Sequence, residues 1–196
     1  MNAKAIANLL RDRRGMTLVE MMIAVTVFGM IMGVVMGFLV DSRDSYTQTR
    51  SRAATQQGLR AVLSLLTAEL RSAGCDPTSA GFDTFGLADG TTLQIRMDLN
   101  GDGDVTDTDP DETVTWTYNA ATDELSRNDG NGAQVLLRRV TAVAFTYFDE
   151  NGAVLGGLPL SAADRARVRS VQVTLQGEAA KGGPVDYTTQ VALRNI

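Results

Sequence analysis

The chain contains no histidine and one cysteine, Cys75, among 196 residues. Without imidazole there is no histidine-ligated metal centre, no Ser-His-Asp triad and no Cys-His dyad. A lone cysteine also excludes a disulfide within the chain. Two readings of Cys75 stand: a small side chain buried at a helix end, which is favoured, or a thiol that pairs with another subunit. Lysine is nearly absent too, with Lys181 alone beyond the first fifteen residues. Catalysis would have to rest on Asp, Glu, Ser, Tyr or that lysine, and no motif joins a nucleophile to a base. A membrane-anchored enzyme or binding domain is therefore the distant alternative.

Basic charge is scarce and concentrated at the start. Lys4, Arg11, Arg13 and Arg14 oppose only Asp12, so residues 1–15 carry +3 of a total of −5, leaving −8 for the remainder. That balance predicts no broad nucleic-acid binding, which needs clustered Lys and Arg. Between Met16 and Val40, 25 residues, the one charge is Glu20. At ~1.5 Å per residue such a helix crosses a ~30 Å hydrocarbon core with some tilt. A carboxylate there costs roughly 2.5–3.5 kcal/mol on insertion scales and is rarely kept without a partner. Asp41-Ser42-Arg43-Asp44 follows instead of a small-residue cleavage site, so the segment should stay on the protein. The preceding arginines put the N-terminus in the cytoplasm and the rest outside.

Gly29, Gly33 and Gly37 recur every fourth residue. They read equally well as a close-packing helix face or as the ordinary glycine content of membrane helices. Past the membrane, Leu59, Val62, Leu63, Leu66, Leu70 and Ala73 form an apolar stripe at helical spacing. No proline interrupts residues 16–73, which predicts one helix about 87 Å long, ending near Gly74 and stopped by Pro77. The remainder reads as strands: 91–97, 113–118, 124–127, 135–137, 142–148, 169–175 and 187–193. The fold class is α+β, a long N-terminal helix packed on an antiparallel β-sheet domain.

Arg13-Arg14-Gly15-Met16-Thr17-Leu18-Val19-Glu20 ahead of the apolar run resembles the type IV prepilin family. The resemblance implies a leader, 1–15, cut by prepilin peptidase between Gly15 and Met16, with N-methylation of Met16. It also implies a docking role for Glu20, which neutralises the Met16 amine of a neighbouring subunit. Residues 16–40 would be the membrane and filament-core half of the helix, 41–75 its amphipathic half and 76–196 a globular β-rich domain. The chain departs from common pilins in lacking an intrachain disulfide, a proline within 16–40 and phenylalanine at position 16.

Ser45-Tyr46 and Leu70-Arg71-Ser72-Ala73-Gly74-Cys75 resemble PilW-type minor pilins. Residues 140–152 and 168–175 resemble both PilW and the J-type minor pseudopilin of type II secretion. These likenesses imply a minor pilin that initiates or caps a pilus. The alternative is a pseudopilus tip subunit. Implied partners are other minor pilins, the major pilin, the inner membrane and a PilY-type tip adhesin. The C-terminal domain is expected in the periplasm and then in the filament, at its tip.

Asp98-Leu99-Asn100-Gly101-Asp102-Gly103-Asp104-Val105-Thr106-Asp107-Thr108-Asp109 fits D-x-[DN]-x-[DN]-G with an acid at the twelfth place. Two readings stand, a solvated acidic turn and a calcium loop, and the second is favoured. Its ligands would be Asp98, Asn100, Asp102, Asp104, Thr106 and Asp109, curled around the ion by a turn at Gly103.

Overall fold

In a computed structural model, described here for residues 15–195, the chain divides into two units, residues 1–46 and 47–196. In the first, Gly15–Thr17 are non-helical, helix α1 (Leu18–Ser72) begins at Leu18, and every described residue is exposed. This is the one described helix long and apolar enough to cross a membrane. The expected leader, residues 1–15, lies outside the described residues apart from Gly15.

In the second unit α1 changes character. Leu59, Val62, Leu63, Leu66 and Leu70 are buried, as their spacing requires. The helix stops where a glycine can enter the left-handed region: Gly74 has φ 73° and its amide bonds to the Arg96 carbonyl at 2.9 Å. The observed span is three residues shorter than the expected 16–73, trimmed at both ends.

Nine strands follow among the described residues, all paired antiparallel. They are β1 (Phe85–Ala88), β2 (Thr92–Arg96), β3 (Thr113–Asn119), β4 (Glu124–Asn128), β5 (Ala133–Arg138), β6 (Val140–Phe148), β7 (Val154–Leu155), β8 (Ser170–Ala179) and β9 (Gly183–Ala192). A short helix, α2 (Ala162–Arg165), precedes β8 and is capped by Ser161. The expected sheet is in fact two: β1-β2-β3-β4-β5 as a meander, and β7-β6-β8-β9. Both contribute to one core, with Trp116, Leu93 and Ile95 from the first and Phe145, Tyr147, Val171, Val173 and Leu175 from the second.

Strand alternation sets which side chains reach that core. In β8, Val171, Val173 and Leu175 are buried while Gln172 and Thr174 are not, the period-two pattern visible in the sequence. The sheets meet around the end of β1: Tyr147 Oη donates to the Asp89 carbonyl at 2.7 Å, and the Phe145 amide to Gly90 O at 2.9 Å. Helix α1 touches both sheets. Arg60 Nε donates to Tyr187 Oη of β9 at 2.9 Å, and Glu69 accepts from the Trp116 indole of β3 at 2.6 Å. Cys75 is half-buried against the core, just past the helix.

Candidate functional site

Two groups of residues bear on function, one at the start of α1 and one in the loop between β2 and β3. At the helix start, Thr17 Oγ1 accepts the Glu20 amide at 3.2 Å. Glu20 Oε2 in turn accepts from the Thr17 amide and hydroxyl, both at 3.0 Å. This reciprocal capping box satisfies amides that a helix N-terminus leaves open. The Thr17-x-x-Glu20 spacing announces it, a signal that a reading of Glu20 by charge alone passes over. Glu20 is thus fixed over the first turn, exposed, and four residues from Met16. Gly15 and Met16 are exposed as well, and among the described residues beyond its chain neighbours no atom stands within 4 Å of where a Gly15 Cβ would be. The expected cleavage junction therefore falls in exposed, non-helical chain directly ahead of the helix. Arg11, Arg13 and Arg14 lie outside the described residues.

The acidic loop folds on its own side chains. Asp98 is fully buried, and its carboxylate accepts the amides of Gly101 (2.5 Å) and Gly103 (3.0 Å) and the Thr78 hydroxyl (3.3 Å). Gly103, at φ 93°, holds the left-handed turn that an L side chain resists. Asn100 Nδ2 donates to Asp102 Oδ2 at 3.1 Å and to Asp107 Oδ2 at 2.6 Å. Thr106 donates both its amide and its hydroxyl to Asp104 Oδ1, at 2.8 and 2.9 Å.

Asp102, Asp104 and Glu112 each bring a carboxylate oxygen within 4.8 Å of the others. Two of the six residues expected as ligands, Asp102 and Asp104, bring carboxylates to this group, while the side chains of Asp98, Asn100 and Thr106 make the hydrogen bonds given above. Asp109 is exposed. Glu112 is the member the sequence pattern missed, because it lies three residues beyond the twelfth place of the motif. The chain folds back there: the Glu112 amide donates to Asp107 O at 3.1 Å, and Glu112 Oε1 accepts the amides of Leu99 and Asn100 at 3.0 and 3.3 Å. The electrostatics register the crowding. Partial desolvation, and then the charges of Asp102, Asp104 and Glu112, hold the Asp107 carboxyl above its usual range. Asp102 is held below it by the Asp104 amide and the Asn100 side chain.

Residues 10–36 match the family model of the prokaryotic N-terminal methylation motif. No curated protein matches the chain. The matched segment takes in Gly15, Met16 and Glu20 together with the first part of the exposed apolar helix. It supports a type IV pilin-like prepilin, which implies processing by prepilin peptidase and a structural role in a filament, and the apolar helix is consistent with a membrane anchor.

Proposed function

We propose that the protein is a PilW-like minor pilin that initiates or caps a type IV pilus with other minor pilins. The observation that carries this reading is the methylation motif placed at an open Gly15-Met16 junction, ahead of an exposed apolar helix that continues into a folded β-domain. Cleavage between Gly15 and Met16 frees an amine beside Glu20, and Met16 is then N-methylated. Within a filament the amine of one subunit meets Glu20 of the next, pairing two charges that the apolar surroundings would otherwise penalise. The domain of residues 47–196 stands on the periplasmic side before assembly. Its two sheets make it more elaborate than a repeating shaft subunit needs, which favours the tip. The partners are then the major pilin, the other minor pilins and a PilY-type tip adhesin.

A J-type minor pseudopilin of type II secretion is the second reading. The stretches 140–152 and 168–175, which form β6 with its turn and the start of β8, resemble that family equally. Deleting the gene separates the two machines, because a minor pilin is needed for twitching and a pseudopilin for secretion. Glu20→Ala tests the role in assembly. The variant should be cleaved as the native chain is, yet enter sheared filaments at least about tenfold less, a loss of ~1.4 kcal/mol or more in docking. Native incorporation would refute the docking charge.

A further inference from the structure

Glu112 has no hydrogen-bond partner for Oε2, although the residue is completely buried. A carboxylate oxygen withdrawn from water and left unmatched is costly, and ionised carboxylates in such places are paired or bound to metal. Among the described residues no Lys or Arg pairs with it: the nearest ion pair is one residue away, where Asp111 meets Arg127 at 2.8 Å. Instead the side chain is aimed at two more acids, Asp102 and Asp104, with oxygens of all three within 4.8 Å of one another. Three carboxylates converging at that distance repel unless a cation lies between them.

We infer that Asp102, Asp104 and Glu112 bind a divalent cation, calcium, with Glu112 closing the loop in place of Asp109. All three offer hard oxygen donors, which suit calcium or magnesium and not the softer transition metals. A loop with two exposed acids and one buried one, irregularly placed, suits calcium, which accepts six to eight oxygens in loose geometry, over magnesium, which holds its water. The remaining positions fall to backbone carbonyls and solvent. Asp98 acts from beneath, binding the Gly101 and Gly103 amides and so shaping the loop that presents Asp102 and Asp104.

The cation joins the end of β2 to the start of β3. Asp111, adjacent to Glu112, holds Arg127 on β4, and Arg127 holds Glu69 on α1 at 2.7 Å. Occupancy therefore tightens the loop and, through that chain of ion pairs, the seat of the helix. Outside the inner membrane, where the domain is proposed to stand, extracellular modules work with calcium at ~10⁻⁴–10⁻³ M, so high affinity is unnecessary.

The test is calorimetric titration of the full chain in detergent with calcium chloride, after treatment with EDTA. The native protein should bind one calcium and melt at a higher temperature with it, and magnesium should bind more weakly. Glu112→Gln, which keeps the shape and removes the charge, should weaken binding at least about tenfold while melting in EDTA no lower than native. Asp109→Asn should leave affinity within about twofold. If Glu112→Gln fails to fold, Asp102→Asn with Asp104→Asn, both on exposed residues, should abolish the calcium-induced rise in melting temperature. No heat up to about 10 mM calcium, native affinity in Glu112→Gln or in the Asp102→Asn, Asp104→Asn pair, or tighter binding of magnesium overturns the assignment.

Discussion

Arg127 shows how one side chain fixes three parts of the domain. Its guanidinium reaches Glu69 of α1 at 2.7 Å, Asp111 of the acidic loop at 2.8 Å and Asp129 of the turn after β4 at 2.8 Å. Burial pulls against its charge, but the bonds to Asp111 and Glu69 outweigh that and raise its pKa. For Glu69 burial prevails, so its carboxyl is held above its usual range despite Arg127 and Trp116. The pair therefore contributes position more than net stability, and removing one partner strands the other. Arg127→Met should cost about 3–5 kcal/mol in a denaturant titration, since it leaves Glu69 buried without its cation. A loss under about 1 kcal/mol would mean that Glu69 finds water or a proton instead. None of this was legible in the sequence. Arg127 sits at the end of an expected strand, and two of its three partners lie 58 and 16 residues earlier in the chain. Glu112 escaped for a similar reason: it stood in view among the acids, but only the fold-back of the loop turns it inward.

Helix α1 was legible almost to its ends, because an apolar run, an amphipathic stripe and the absence of proline all point to the same element. β2 was equally plain, and β8 was found by its clean alternation although it runs four residues past the expected end at 175. Others were not. β1 is four residues long with a bulge between Phe85 and Leu87, and β7 has two residues, so neither has length enough for a period to show. Nor does alternation say which sheet a strand joins, which is why two sheets read as one. The turn after α1 illustrates local chemistry that composition hides. The Asp76 carboxylate accepts the Gly81 and Ala80 amides, both at 2.9 Å, and these hold its pKa below the ordinary 3.8. A lowered carboxyl pKa stabilises the folded state fully above 3.8 and loses that contribution as pH falls through the folded value. Asp76→Asn should therefore melt below the native protein at about pH 7, with the gap closing as the pH falls through the lowered folded-state value. A gap that persists unchanged in acid would assign the loss to shape instead of charge.

For the whole molecule, function is written in a short stretch at one end. Residues 10–36 carry the methylation motif, whereas in the larger unit, residues 47–196, the proposed cation site is assembled only by the fold. The absence of histidine and of a second cysteine excludes the catalytic centres built on them, and the methylation motif supports a pilin-type structural role. Every step proposed for assembly begins with the cut that turns Met16 into a charged N-terminus near Glu20. The intact mass of the protein, purified from cells with active prepilin peptidase, tests that cut most directly. The mature chain should begin at Met16 and carry one added methyl group, and the Gly15→Ala variant should remain an uncut precursor. A native chain that keeps residues 1–15 would contradict the prepilin reading.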